Sequence, residues 1–240
     1  MNVYWLEQTQ ADVPAENDWL SASGRLRLSG LRFAKRHNDW RLGRWTAKRA
    51  LAVRLGVPAH PQVLAKIEVR TAPSGAPEVF VANKPLDLTL SLSHRAGRAV
   101  CVVARSGVEL GCDLEMVEPR SDAFIGDYFT EEEQELIARA TAEDRSRLVA
   151  LLWSAKESAL KALHEGLRLD TRCVTVKPEE GFDLNGWSPL QVRCSNGHVF
   201  RGWWQCEDGA VRTMVADPAP DAPIRLEIPS YSPDCASRCA

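Results

Sequence analysis

From Leu86 to Ser93 apolar and polar residues alternate without a break: Leu86, Leu88, Leu90 and Leu92 against Asp87, Thr89, Ser91 and Ser93. Successive side chains of a strand point to opposite faces, so this stretch buries one face and leaves the other to polar partners. Arg98–Arg105 and Val108–Val117 follow after short turns at Ala96-Gly97 and Ser106-Gly107, which predicts a three-strand meander. On its third strand Leu110, Cys112 and Leu114 point one way, and Gly111, Asp113 and Glu115 the other. Two carboxylates therefore share one face of a sheet.

A helix follows with a complementary front. Leu148, Leu152, Ala155, Ala159 and Leu163 form an apolar stripe at helical spacing. Glu157 lies about half a turn away, with Trp153 and Lys161 one turn to either side. The bland reading is a solvated Glu157–Lys161 pair, worth about 0.3 kcal/mol. Trp153 opposes it, because a large aromatic is wasted on a solvated face; a Trp–Glu–Lys front better lines a cleft. Asp113, Glu115 and Glu157 converging on one point would repel unless a cation neutralised them. Such hard oxygen ligands suit Mg²⁺ completed by substrate phosphates. Lys161 can pair with a phosphate as a point charge, and Gly111 would let a ligand approach. Together these features describe a metal-assisted diphosphate site.

The rest of the chain bounds this reading. Its 240 residues, 45% hydrophobic, are ample for one large domain or two small ones. A net charge of −2 excludes a generic nucleic-acid binder. No apolar run approaches the ~20 residues of a membrane span, and Met1–Trp5 lacks the basic and apolar regions of a signal peptide, so the expected location is cytoplasmic. Seven cysteines without a Cys-x-x-Cys pair argue against zinc or a disulfide framework; Cys101 and Cys112 read as core residues, and Cys235 and Cys239 as thiols in a polar tail. Ser21–Leu55 reads as helical, divided or bent at Gly24, Gly30 and Gly43 and ended by Pro58 and Pro61. Val63–Arg70 and Glu78–Val81 are strand candidates around a turn at Pro73–Pro77. Thr130 and Glu133 form a capping box, a second helix runs from about Asp144 to Glu165, and Val174–Val176, Leu190–Cys194, Val199–Cys206 and Ala210–Ala216 suggest an antiparallel sheet. Prolines from Pro218 onward mark a tail with little core.

The pattern Gly111-x-Asp113-x-Glu115 followed by Trp153-x-x-Lys156-Glu157-x-x-x-Lys161 resembles the signature of the Sfp-type 4′-phosphopantetheinyl transferases. Ser91-Leu92-Ser93-His94 is similar to that family's Ser-x-Ser-His, Gly43-Arg44 to its Gly-Arg, and Phe129–Glu133 to its Phe-Thr/Ser-x-x-Glu. Arg70-Thr71-Ala72 with Gly75-Ala76-Pro77 resembles its Arg…Gly-Lys-Pro, with Ala76 in the place of the lysine. The order holds over roughly residues 20–215.

The resemblance implies an α+β (α/β) fold, a pseudo-dimer of two similar halves, each a helix region packed on a mainly antiparallel sheet, with the active site between them. The expected divisions are 1–107 for nucleotide contacts, 108–217 for the metal site, and a proline-rich tail at 218–240. A faint repeat agrees with two halves: Trp45-Thr46-Ala47-Lys48 resembles Trp153-Ser154-Ala155-Lys156, with Arg49 where the second half has Glu157. The implied partners are coenzyme A as substrate, Mg²⁺ as cofactor on Asp113, Glu115 and Glu157, and an apo acyl or peptidyl carrier protein as acceptor, for an enzyme acting as a monomer without nucleic acid or membrane. Arg44, Arg70, Ser93, His94 and Lys161 are the expected coenzyme A contacts, with Glu157 as general base and Lys161 stabilising the leaving phosphate. The Pro119–Phe129 segment, with Phe124, Ile125, Tyr128 and Phe129, is the candidate carrier-docking surface, or else a loop packed into the second half. Trp187, Trp203 and Trp204 are expected in the core or at an interface. Two other classes remain beside the transferase: a non-catalytic binding module of the same fold, and a Mg²⁺-dependent nucleotide hydrolase.

Overall fold

The computed structural model describes residues 1–164, 169–182 and 185–228. Ser21 caps helix α1 (Ala22–Ser29) by accepting from the Gly24 N–H. Gly30 closes α1, and α2 (Ala34–Leu55) begins after it. Gly24 and Gly43 lie inside these helices and do not divide them. α2 ends at Gly56, whose φ of +64° supplies a left-handed cap. Pro61 opens the short α3 (Pro61–Leu64) instead of ending a helix. Val63 is therefore helical, and the expected strand begins only at β2 (Ile67–Thr71), which pairs with β3 (Pro77–Val81) and then β4 (Lys84–Pro85).

The first large sheet contains β1 (Tyr4–Thr9), β5 (Leu88–Arg95), β6 (Arg98–Arg105) and β12 (Ile224–Arg225), in the order β12-β1-β6-β5. The second contains β7 (Glu109–Met116), β8 (Val174–Pro178), β9 (Ser188–Cys194), β10 (Val199–Glu207) and β11 (Ala210–Asp217), in the order β7-β11-β10-β9-β8. The expected meander is therefore only half right. β5 and β6 pair antiparallel, but β7 leaves them after Gly107 and pairs with β11. The edge of β6 that a meander would use is taken by β1, and the apolar face of β7, with Leu110, Cys112 and Leu114, packs across the molecule with Val100, Val102 and Ala104 of β6. That face fills the space between two sheets, which edge-on pairing with β6 would leave empty.

Three cores result. Residues of α2, including Trp45, Ala47 and Leu51, pack on Leu6, Leu90, Cys101 and Val103 of the first sheet. The two sheets share the middle core, where Trp187 meets Trp5 edge-on at 5.4 Å between ring centroids. Helices α4 (Asp122–Tyr128), α5 (Glu131–Arg139) and α6 (Ala142–Ala162) contribute to the third core with the second sheet. Trp203 packs against the middle core and Trp204 against the third. The Thr130–Glu133 capping box is present at the start of α5. The segment expected as a tail rejoins the first half: β12 pairs with β1, and Leu226 enters the core beneath α2. Cys101 and Cys112 are buried; Cys235 and Cys239 lie outside the described residues. Among the described residues no helix is long and apolar enough to cross a membrane.

Candidate functional site

Asp113 sits in the middle of β7 and is 4% exposed. Its Oδ1 accepts from Lys161 Nζ at 2.7 Å and from Ser93 Oγ at 2.8 Å. Its Oδ2 is buried and has no hydrogen-bond partner among the described residues. Lys161 Nζ also donates to the Cys112 carbonyl at 3.0 Å and to Ser93 Oγ at 3.1 Å. Burial alone would lower the Lys161 pKa, but the adjacent Asp113 reverses this and holds it above the usual lysine value. Strand β5, helix α6 and strand β7 thus meet at one carboxylate.

Glu115 and Glu157 feel that carboxylate. Burial pushes the Glu115 carboxyl up and Asp113 adds to the effect, while Arg95 and Arg120 oppose it. Arg95 Nε lies 3.5 Å and an Arg120 guanidinium nitrogen 3.4 Å from Glu115 Oε2, and the Trp153 indole donates to the same carboxyl. Burial likewise raises Glu157, Asp113 and Glu115 reinforce the rise, and Lys161 counters it. Three mutually repelling carboxyls, one of which, Asp113, has an orphaned, buried oxygen, are of the chemical type that a hard dication with oxygen ligands takes. The donor chemistry therefore fits Mg²⁺, but among the described residues the ligand atoms of Asp113, Glu115 and Glu157 do not all lie within 4.8 Å of one another, so the expected convergence on one point is not met.

A different trio converges more tightly. Among the described residues, one ligand atom each from Glu109, His198 and Asp217 lie within 4.8 Å of one another. His198 Nε2 stands 3.3 Å from Glu109 Oε2 and 3.6 Å from Asp217 Oδ2. This trio sits four residues from Asp113 along β7, roughly 13 Å away. Nothing in the residue pattern marked it, since Glu109 and Asp217 meet only through the β7–β11 register.

Gly111 has another role than the expected one. A Cβ on it would stand 1.8 Å from the Ser158 carbonyl oxygen and 2.8 Å from the Ala162 nitrogen. The missing side chain admits the backbone of α6, not a ligand. That close approach brings Glu157 and Lys161 to the carboxylate face of β7. Ser154 and Ser158 fix the same helix through hydrogen bonds to Thr213 at 2.9 and 2.7 Å.

Trp153 lies against Phe124 and Tyr128, with ring centroids 5.1 and 5.2 Å away. The expected docking segment is thus split. Ile125 and Phe129 belong to the core, while Phe124 is partly buried and Tyr128 is exposed. Arg120 lies over the Phe124 ring at 5.2 Å and so joins this aromatic group to Glu115. Arg95 was not singled out in the sequence, although it follows Ser93 by two on β5 and therefore shares its face.

At the other end, His94 continues the face of β5 that turns toward α2. Its ring lies 3.9 Å from where a Cβ on Gly43 would be. Arg44 stacks near Trp40, 5.5 Å from the ring centre, and its pKa is lowered by burial and then by Arg27. Arg44, Lys48 and Arg70 line a cleft of ≈ 350 Å³, with Arg27, Trp40 and Glu68. Arg70 already pairs with Glu68 at 2.8 Å and Asn83 at 2.5 Å, and covers Phe80.

Residues 109–195, the stretch that carries Asp113, Glu115, Glu157 and Lys161, match the family model of the 4′-phosphopantetheinyl transferase superfamily. Over 193 residues, 78% of this chain and 79% of the relative, the sequence is 26% identical to the 4′-phosphopantetheinyl transferase HetI of Nostoc sp. strain PCC 7120.

Proposed function

We propose that this chain, an enzyme belonging to the 4′-phosphopantetheinyl transferase superfamily, moves the phosphopantetheine arm of coenzyme A onto a serine of an apo acyl or peptidyl carrier protein. The serine oxygen attacks the β-phosphorus, the bond to the bridging diphosphate oxygen breaks, and adenosine 3′,5′-bisphosphate leaves. The observation that carries the reading is the buried, unpartnered Oδ2 of Asp113 beside Glu115, Glu157 and Lys161.

Asp113, Glu115 and Glu157 would hold Mg²⁺, which when bound neutralises charge on the diphosphate. Glu157, raised by burial and by Asp113, is suited to receive the serine proton. Lys161, kept cationic by Asp113, supplies positive charge at the leaving phosphate. Ser93 orients both through its hydrogen bonds to Asp113 and Lys161. Arg44 and Arg70, with His94 above Gly43, are proposed for the nucleotide phosphates, to which guanidinium groups bind in bidentate fashion. Arg70 would exchange Glu68 and Asn83 for that contact.

The site would then lie between two similar halves, residues 1–107 and 108–217. Each half has a long helix on a mainly antiparallel sheet, β12 alone pairing parallel with β1 among the described residues, and each helix carries a Trp-x-x-Lys segment. The enzyme is proposed to act in the cytoplasm as a monomer. Incubation of an apo-carrier with coenzyme A and Mg²⁺, followed by intact mass, tests the reaction: a gain of the phosphopantetheine mass selects it over a binding module or a nucleotide hydrolase.

A further inference from the structure

In a chain of net charge −2, residues 19–38 contain no Asp or Glu. The same stretch carries Arg25, Arg27, Arg32, Lys35 and Arg36, all exposed at the corner where α1 gives way to α2. None of the five stands in an ion pair among the described residues. Arg25 donates to the Leu20 carbonyl, and Arg27 borders the cleft lined by Arg44 and Arg70. Leu26 and Phe33 project from this corner 75% and 73% exposed. Lone exposed apolar residues are ordinary. Two of them set among five cations, with no acid between, form a surface for an acidic partner with an apolar ridge.

We propose that this corner docks the acidic face of the carrier protein. The proposal rests on the transferase reading and names where its acceptor is first held. Arg36 precedes Gly43 by seven residues on α2, roughly 10 Å along the helix axis. Arg27 makes the corner continuous with the cleft. A carrier held here is therefore adjacent to the proposed coenzyme A site. Local positive charge steers an acidic carrier even though the whole molecule is slightly negative. An anionic membrane shares part of this chemistry. However, an interfacial helix needs one long continuous face, and here an eight-residue helix meets another at a break.

The test uses the full chain with Arg32→Glu/Arg36→Glu and, separately, Leu26→Ser/Phe33→Ser; none of these residues lines the cleft or the carboxylate site. Binding of a labelled apo-acyl carrier protein is measured by anisotropy at low and high salt, beside the KM for coenzyme A. Charge reversal is expected to weaken carrier binding about tenfold and flatten its salt dependence, and the apolar pair to weaken it severalfold. The KM for coenzyme A stays unchanged. If a charge-reversed chain does not fold, Arg32→Gln/Arg36→Gln takes its place. Unchanged carrier affinity in both variants overturns the proposal. So does unchanged carrier affinity with lost binding to phosphatidylglycerol vesicles, which assigns the corner to lipid. Wild-type protein that binds the carrier through this corner yet transfers nothing would sink the transferase reading and leave the surface standing.

Discussion

Lys48 and Lys156 do the same job at the same point of two different helices. Lys48 Nζ donates to the carbonyls of Trp19 and Leu64 at 3.1 and 2.7 Å, and Lys156 Nζ to those of Thr171 and Val174 at 2.9 and 2.5 Å. Each lysine closes a Trp-x-x-Lys segment, each is buried, and each ties backbone outside its helix to that helix. The faint repeat is therefore a repeated packing device. The halves differ in the counter-charge: Lys156 pairs with buried Glu133 at 2.7 Å, whereas no carboxylate contacts Lys48 Nζ among the described residues.

That difference predicts unequal costs. Lys156→Met strands Glu133 without its cation and should cost about 3 kcal/mol or more. Glu133 keeps its bonds from the Thr130 and Val176 amides, which limits the loss. Lys48→Met leaves two carbonyls unbonded but no carboxylate, and should cost about 1–2 kcal/mol. Urea unfolding of the two variants gives the comparison; a costlier Lys48→Met would refute the pairing argument.

Burial lowers the Lys48 pKa to about 8. Unfolded lysine keeps its ordinary value of about 10.4 and so binds more protons than the folded form between these limits. Stability from this group is therefore least below pH 8 and rises as pH climbs toward 10.4. The stability of wild type relative to Lys48→Met should rise across that window, by at most about 3 kcal/mol. A flat or falling difference would show that Lys48 titrates normally.

Gly111→Ala should disrupt the molecule at its centre, because the added Cβ would meet the α6 backbone, which cannot swing away as a side chain can. A loss of about 3 kcal/mol is expected, with a drop in transfer activity as Glu157 and Lys161 shift away from β7. Unfolding curves matching wild type would contradict the close approach.

Within the segment before α5, Ile125→Ala should lower stability by about 2–3 kcal/mol because it removes a buried core side chain. Phe124→Ala should cost less and should weaken the stacking of Arg120, loosening Glu115. Thermal melts with carrier and coenzyme A KM values separate the two. An Ile125→Ala protein as stable as wild type would put that residue back on the surface.

Which residues of the candidate site share a face was legible because that depends on local spacing. Asp113 and Glu115 share a face by strand period, and Glu157 and Lys161 share one by helix period. The partners that complete the site were not. Arg95 reaches Glu115 from another strand, and the Asp113–Ser93 bond forms because β7 crosses to the second sheet. Alternation predicted a strand over Val108–Val117, close to the observed Glu109–Met116, but cannot say which neighbour a strand pairs with. The apolar face of β7 is equally compatible with a meander and with a two-sheet core, and what excludes the meander is that β1 takes the other edge of β6. Gly111 was misjudged for the same reason: absence of a side chain says that something approaches, not what. The return of Leu226 to the first core depends on the pairing of β12 with β1, where Ile224 stands opposite Tyr4, 220 residues away, beyond any local pattern.

The most direct measurement is intact-mass analysis of an apo-carrier protein incubated with coenzyme A and Mg²⁺, run with wild type, Asp113→Ala and Glu157→Ala, each checked for folding by circular dichroism. Wild type should add the phosphopantetheine mass in a Mg²⁺-dependent manner. Each variant should lose at least about a hundredfold in rate and bind Mn²⁺ more weakly by titration calorimetry in the presence of coenzyme A. An unmodified carrier with folded wild type, or folded Asp113→Ala that transfers at the wild-type rate at limiting Mg²⁺, would contradict the assignment of Asp113 and its neighbours as the catalytic centre.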